Sequence, residues 1–194
     1  EKVSIAAAAL ADSLEEMWLT TSTGHCSLAQ NRDYWDEASD SFVCGYNPLG
    51  VADSTVMVIR LCDLVGSVKT VLVNYACHPT TLAWDNRLIS PDYVGPMRRT
   101  LRHALGKIPV VFIQGASGDV GPREGFVGDV DVAARNGRQL GLSALEALAA
   151  MPVEPAEFSY DGAVVSGATI GTWSYKPFSA EQVQSMSLFE SLQT

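Results

Sequence analysis

Apolar residues along this chain recur with the two periods that distinguish strands from helices. Runs of strand length, rich in Val and Ile, occur in three places: 54–62, 68–76 and 109–114. Apolar residues three or four positions apart predict three helices: 3–17, 93–105 and 133–148. The first two strands, separated by Gly66, predict a hairpin. With further strand character at 18–32 and 157–172, the pattern predicts an α/β fold, a layered mixed β-sheet flanked by helices. The polar segment 33–53 has no sustained period and predicts a long loop.

Turn and cap residues refine the helix boundaries. Ser90-Pro91-Asp92 predicts a helix start with Ser90 as N-cap, and Gly106 predicts the end of that helix. Asp129 predicts the cap of the long helix that follows. Within the long helix, Gly137 and Gly141 indicate a close approach to the sheet, because glycine otherwise costs about 1 kcal/mol in a helix.

Composition narrows the class of protein. The chain of 194 residues is 47% hydrophobic and 18% charged, as in ordinary globular proteins, and its length predicts a single domain over 1–194. The net charge of −9 argues against a nucleic-acid partner, because no basic stripe can neutralise phosphates. Arg98, Arg99 and Arg102 are predicted to form a solvated helix face. No apolar run reaches the roughly 18 residues that cross a bilayer, so no transmembrane segment is predicted.

The four cysteines lack the C-x-x-C spacing of zinc knuckles and redox motifs. Cys62 and Cys77 lie in apolar strands and are predicted to be small core residues. A disulfide between Cys26 and Cys44 is the less favoured alternative to free thiols.

Candidate functional residues lie in two loops that follow apolar strands. His78 comes directly after the second strand and precedes Pro79, which keeps its backbone extended and gives the ring a defined direction. Such a histidine suits metal ligation or acid–base chemistry, and a hydrogen-bonded structural histidine is the alternative. His25 and His103 show no ligand spacing, so further metal ligands would have to lie elsewhere. Because ligands gather at strand ends, we expect His78 to lie close to the second loop, which holds Asp119.

The second loop is glycine-rich and reads Gln114-Gly115-Ala116-Ser117-Gly118-Asp119-Val120-Gly121-Pro122. It lacks the G-x-G spacing of a dinucleotide fingerprint and the Lys-Ser/Thr of a P-loop. It also departs from G-x-S-x-G, so Ser117 is weakly supported as a nucleophile. Backbone N–H groups beside Asp119 and Ser117 can hold an oxyanion or a supporting carboxylate. A tight turn closed by Asp119 is the structural alternative.

Taken together, these motifs resemble the neutral/alkaline (non-lysosomal) ceramidase family, in part of its N-terminal catalytic domain. His78-Pro79-Thr80 matches the family's His-x-Thr element, and the run 86–95 follows at a similar distance. Residues 118–123 match its Gly-Asp-Val-Ser-Pro-Asn hexapeptide, and Asn31-Arg32 matches its Asn-Arg-Ser element. The resemblance covers about residues 1–150, and the order and spacing of the motifs are more specific than any single motif.

The resemblance implies a zinc-dependent amide hydrolase of sphingolipid metabolism that acts on a small-molecule or lipid amide. It implies that His78 is a zinc ligand and that Arg32 reaches the active site. The candidate catalytic groups are Arg32, Asp119, Ser117 and the backbone of Gly121. The family's other zinc ligands have no match here, and its catalytic domain is considerably longer than this chain. We therefore expect a fragment whose partner is the rest of the catalytic domain, with the remaining ligands outside this chain.

Two substitutions depart from the family's hexapeptide. Gly121 stands at the family's serine position, and Arg123 replaces the closing asparagine. Without a hydroxyl, covalent serine chemistry at this position is impossible, whereas a metal lowers the pKa of bound water to about 7 and permits direct attack. The first hypothesis is therefore a ceramidase-like zinc amidohydrolase that uses metal-activated water. The second is a non-catalytic relative that binds a ligand or partner, and a serine hydrolase built on Ser117 ranks third.

Overall fold

The computed structural model describes residues 2–10 and 13–185 and confirms the α/β class. Its helices are α1 (Lys2–Leu10), α2 (Val94–Leu105), α3 (Val130–Ala149) and α4 (Ala180–Ser185). Its strands are β1 (Trp18–His25), β2 (Ala29–Asn31), β3 (Asp33–Asp36), β4 (Ser41–Cys44), β5 (Thr55–Cys62), β6 (Val68–Tyr75), β7 (Val110–Gln114), β8 (Val120–Pro122), β9 (Ala156–Ser166) and β10 (Ala168–Pro177). The described residues form two compact units that divide between Met151 and Pro152, and a single domain over 1–194 stays a prediction.

A four-stranded mixed sheet in the order β1-β5-β6-β7 forms the centre of the first unit. Its first three strands pair antiparallel, and β6 and β7 pair parallel. The predicted hairpin of β5 and β6 is confirmed: Gly66 has a φ of 88°, which favours glycine, and the Asp63 carboxylate accepts from Ser67 N at 2.7 Å. Val58 and Val73 face each other across the hairpin and are fully buried, because alternate strand residues share one face.

Helices α2 and α3 cover one face of this sheet. α2 packs against β7, and α3 packs against β1 and β5. The predicted apolar stripes are buried, with Met97, Leu101 and Leu140 fully inaccessible, and each such side chain contributes roughly 1.5–3 kcal/mol. Asp129 caps α3 as predicted, because its carboxylate accepts from Asp131 N at 2.8 Å.

The two glycines of α3 serve a helix–helix contact and not the predicted approach to the sheet. A Cβ at Gly137 would lie 2.1 Å from the carbonyl oxygen of Tyr93, and one at Gly141 would lie 2.7 Å from Thr100 Cβ. Tyr93 is the N-cap residue of α2 and Thr100 lies within that helix. The prediction was wrong because a glycine in a helix indicates a close approach without identifying the element that approaches.

Helix α2 begins at Val94, later than the predicted N-cap Ser90 implies, and Gly106 ends it as predicted. Ser90 Oγ accepts from Asp92 N at 3.1 Å, and Asp92 has a φ of 52°, outside the helical region. The buried Asp92 carboxylate accepts from Leu82 N at 2.8 Å and from the N–H of the following residue at 2.6 Å. The bond to Leu82 fixes a conformation that the local cap motif does not reveal, so the predicted start was wrong.

Two further predictions fail in exposed segments. Residues 33–53 are not an unbroken loop, since β3 and β4 form a hairpin in which the rings of Trp35 and Phe42 meet edge to face at 5.0 Å. The strands are too short to produce a recognisable period. α1 ends at Leu10 and buries no residue, and residues 13–17 are not α-helical. An apolar stripe that packs against nothing adds little to helix stability.

The second unit consists mainly of an antiparallel ribbon of β9 and β10, which confirms the strand character of 157–172. The rings of Phe158, Tyr160, Trp173 and Tyr175 contact one another along it, because cross-strand pairs share a face. Within the described part of the chain, no helix has the length and apolar character needed to cross a membrane.

Candidate functional site

The two loops that carry the predicted site residues meet at one end of the central sheet. β6 and β7 are parallel neighbours, with Tyr75 opposite Gln114 at their carboxyl ends. Beyond the strands, Gly115 N donates to the Tyr75 carbonyl at 3.0 Å and His78 N donates to the Val120 carbonyl at 3.1 Å. The backbone of His78 therefore lies directly beside the loop that holds Asp119 and Gly121.

Two side chains, the exposed Gln114 and the buried Tyr93, position the peptide that precedes His78. Gln114 Nε2 and Tyr93 Oη both donate to the Cys77 carbonyl, at 2.9 and 2.5 Å. Burial raises the pKa of the Tyr93 phenol, so that its hydroxyl remains protonated and available as a donor. The entry of the chain into the His78 turn is thus fixed from two elements, β7 and the start of α2.

Cys77 itself is fully buried, as predicted, and so is Cys62. Burial raises the pKa of the Cys77 thiol to about 12, which keeps it protonated at neutral pH. Because metal ligation and nucleophilic attack require the thiolate, Cys77 is a packing residue next to the candidate site. All four cysteines of the chain are free, so Cys26 and Cys44 form no disulfide.

Arg32 reaches the same loop through a short strand pair. β2 pairs with β8 so that the residue before Asn31 stands opposite Gly121. Arg32 N donates to the Asp119 carbonyl at 2.9 Å, and Arg32 Nη2 donates to the Gly118 carbonyl at 2.8 Å. Asn31 Nδ2 donates to Asp119 Oδ2 at 3.2 Å. The structure therefore brings Arg32, Asp119 and Gly121 together with the His78 turn.

The position of strand β2 depends on a buried tyrosine of the central sheet. Tyr75 Oη donates to the Cys26 carbonyl at 2.7 Å and accepts from Ala29 N at 2.7 Å. Burial raises the pKa of Tyr75, so that the hydroxyl can serve both groups. Tyr75 thus ties the segment that leads to Arg32 to the strand that leads to His78.

Two unpaired polar atoms surround Gly121. A Cβ at this glycine would lie 3.6 Å from both Thr80 Oγ1 and Arg32 Cδ, at ordinary van der Waals distance. Thr80 Oγ1 and Arg32 Nε are buried and have no hydrogen-bond partner among the described residues. A buried polar atom without a partner costs about 1–3 kcal/mol, so this cradle is suited to an additional oxygen. Thr80 was not predicted as a site residue, although it lies in the same turn as His78.

The other predicted residues of the loop have structural partners. Ser117 is buried, and its hydroxyl accepts from Gln114 Nε2 at 2.5 Å inside the loop. The Asp119 side chain is held by Asn31 Nδ2 and remains exposed. Ser117 therefore supports the Gln114 side chain that positions His78, and Asp119 fixes the end of β2.

The described residues do not complete a metal site. No group of three or more His, Cys, Asp or Glu side chains among them is placed to hold a metal ion. His25 Nδ1 is hydrogen-bonded to Ser54 Oγ at 2.6 Å at the end of β1, and His103 is exposed on α2. His78 is thus a single candidate ligand, whereas zinc sites have three or four.

By its fold this chain is an α/β protein, and its candidate functional residues lie near the ends of two parallel strands. No family model matches this chain, and no curated protein matches it in sequence. Among solved structures it is similar to neutral ceramidase from Pseudomonas aeruginosa, with a TM-score of 0.58, 17% identity, and coverage of 80% of this chain and 27% of that one. It is also similar to a ceramidase complexed with C2, with a TM-score of 0.57 and 18% identity. That match covers 75% of this chain and 25% of the ceramidase chain. The chain thus has the fold of a portion of these ceramidases and spans about a quarter of their length.

Proposed function

We propose that this chain is part of the catalytic domain of a ceramidase-like, zinc-dependent amide hydrolase that cleaves an N-acyl linkage. The fold likeness to neutral ceramidases supports this relationship. The observation that carries the proposal is the cradle at Gly121, where Arg32 Nε and Thr80 Oγ1 have no partner within the described part of the chain. The substrate is a small-molecule or lipid amide.

In this proposal the cradle binds the carbonyl oxygen of the scissile amide. Arg32 Nε is a permanent donor, and the Thr80 hydroxyl can donate as well. When an amide is attacked, negative charge develops on its carbonyl oxygen, and preorganised donors in a buried site stabilise that charge strongly. The Arg32 guanidinium is preorganised because its Nη2 is already bound to the Gly118 carbonyl.

The zinc site of this enzyme is formed only in part by the chain. His78 contributes one ligand, and the remaining ligands lie in the rest of the catalytic domain. Contacts to the Cys77 carbonyl from Tyr93 and Gln114 support the role of His78, because a ligand whose backbone is fixed loses little freedom when it binds.

The open face of the central sheet supports a further partner, the rest of the catalytic domain. On the side away from α2 and α3, Leu19, Met57, Val111 and Ile113 share one face of the sheet and are 40–43% exposed. A solvated face of an antiparallel sheet normally carries polar side chains. Polar side chains such as Thr23 and Asn74 share this face, and its exposed apolar side chains support packing against additional polypeptide.

The alternative function is that of a non-catalytic relative whose cradle binds a ligand oxygen without turning the ligand over. Gly121 favours this alternative, because it lacks the hydroxyl of the family's hexapeptide.

Metal content separates the two functions when it is measured on the intact catalytic domain that contains this chain. We expect zinc and N-acyl amide hydrolysis in the native protein, and loss of both in His78→Ala. The matched control is His103→Ala, which removes an exposed histidine of α2 and leaves both unchanged. Equal zinc content in the His78→Ala and native proteins would refute the ligand role.

A further inference from the structure

A second feature of the first unit is a groove between α2 and α3. The close packing at Gly137 and Gly141 brings the helix axes together, and longer side chains beside this contact form the walls of the groove. On α2 these are Arg99 and His103, one helical turn apart, and on α3 they include Arg138. The groove is open to solvent and has a volume of about 450 Å³, enough for a small molecule to lie along it.

The walls of this α2–α3 groove combine positive charge with apolar surface. Arg99, His103 and Arg138 form the basic part, and Leu142, Leu145 and Ala104 form the apolar part. No Asp or Glu among the described residues lines it. Leu142 is 52% exposed, so its side chain is accessible to a bound molecule.

The arginines of the groove differ from their neighbours in having no carbonyl or carboxylate partner among the described residues. Arg98 Nε donates to the Val110 carbonyl at 3.0 Å and Arg102 Nε to the Ile108 carbonyl at 3.2 Å. Arg135 pairs with Glu124. With the residues that the structure describes, neither Arg99 nor Arg138 makes such a bond or ion pair. In a chain of net charge −9, the two guanidinium groups give this groove a local excess of positive charge.

We infer that the α2–α3 groove binds an organic anion, a carboxylate or a phosphate ester that carries a short alkyl chain. Guanidinium groups bind both kinds of anion through paired, charge-assisted hydrogen bonds, and the leucines of α3 receive the alkyl chain. No residue of the groove belongs to the candidate site around Gly121, so the inference is independent of the proposed function.

Calorimetric titration of the 194-residue chain with four probes tests this inference. Octanoate and octyl phosphate combine the anion with the alkyl chain, inorganic phosphate lacks the chain, and 1-octanol lacks the charge. We expect saturable binding of one or both amphiphilic anions, at least about tenfold tighter than of either other probe. The tighter of the two anions identifies a carboxylate or a phosphate ester as the preferred headgroup.

Substitution of both groove arginines, Arg99→Gln with Arg138→Gln, should weaken anion binding at least about tenfold without lowering the melting temperature, since both side chains are exposed. The matched control Arg135→Gln removes an exposed arginine of the same helix and should bind like the native chain. In parallel, amide NMR shifts on binding should centre on Thr100 and Gly141. Unchanged affinity in the double variant, equal binding of 1-octanol, or no saturation below about 5 mM would overturn the inference.

Discussion

The cradle at Gly121 makes a specific prediction about stability. In Gly121→Ser, the new Cβ lies 3.6 Å from both Thr80 Oγ1 and Arg32 Cδ, so that no neighbour has to move. Gly121 does not have a positive φ, so a side chain introduces no backbone strain. The added hydroxyl lies within reach of two buried polar atoms that have no partner among the described residues.

Two contributions set the magnitude of this effect. Replacing glycine by a residue with a side chain lowers the entropy of the unfolded chain and stabilises by about 0.4–1 kcal/mol. A new hydrogen bond to Thr80 Oγ1 adds about 0.5–1.5 kcal/mol. Gly121→Ser should therefore raise the free energy of unfolding by about 1–2.5 kcal/mol, which corresponds to about 2–10 °C in Tm for a chain of this size.

Urea unfolding of a four-variant cycle isolates the hydrogen bond. Gly121→Ala gains only the entropic contribution, so the serine variant should be more stable than the alanine variant by about 0.5–1.5 kcal/mol. Thr80→Val removes the hydroxyl partner, so the difference between serine and alanine should largely disappear when each is combined with Thr80→Val. If serine stabilises no more than alanine, or if the advantage of serine persists with Val at position 80, the reasoning about the cradle is wrong.

Three other predictions follow from the same structure. Tyr75→Phe should lower the free energy of unfolding by about 1–3 kcal/mol, because it leaves a buried carbonyl and N–H unpaired, whereas Phe in place of the exposed Tyr34 should have little effect in the same urea assay. The pKa of Asp63 lies below its ordinary value, mainly because its carboxylate accepts from Ser67 N and also because Lys69 is near. Asp63 therefore stabilises the fold at a pH above its pKa in the unfolded chain, and this stabilisation is lost as the pH falls through its pKa in the folded chain. The stability difference between the native chain and Asp63→Asn should accordingly shrink below about pH 4, and a constant difference would contradict it. In the intact catalytic domain, Ser117→Ala should retain most amide hydrolysis. Rapid-quench experiments on the native domain should show no burst of amine release before steady turnover, and an acyl group trapped on Ser117 would contradict the prediction.

Elements that depend on local pattern could be predicted from the sequence. The β5–β6 hairpin follows from two apolar runs around Gly66, and helix α3 follows from its apolar stripe and the Asp129 cap. In each case neighbouring residues supply both the period and the boundary, so that no distant contact is needed to specify the element.

Elements that depend on distant contacts could not be predicted correctly. The hydrogen bond from Leu82 N to the Asp92 carboxylate turns a helix-start motif into part of a loop. The contact partner of Gly137 is the Tyr93 carbonyl on another helix, and no period in the sequence identifies it. These errors share one cause, because a local signal shows that a special conformation is required without showing which partner requires it.

The candidate site likewise combines features that local sequence predicts with features that depend on distant contacts. His78 and Asp119 lie in adjoining segments because each follows one of two parallel strands that end together. The approach of Arg32 to Gly121 depends on β2 pairing with β8, two strands of three residues that are remote in sequence. The resemblance of Asn31-Arg32 to a family motif suggested Arg32, but the unpaired atom of Thr80 could be found only in the structure.

The geometry at Gly121 also bears on the choice between a catalytic and a non-catalytic protein. Arg32 Nε and Thr80 Oγ1 are buried around the glycine and have no partner in residues 2–10 and 13–185, and each costs about 1–3 kcal/mol unless an oxygen is bound there. Such a cost is explained if a ligand oxygen fills the cradle, and this holds for an enzyme and for a binding protein alike. Glycine supplies no side-chain nucleophile at position 121, whereas the surrounding donors favour an oxygen, so the cradle is compatible with both proposed functions. In the proposed enzyme, turnover depends on the metal, so the test that separates the two proposed functions is whether His78 binds zinc.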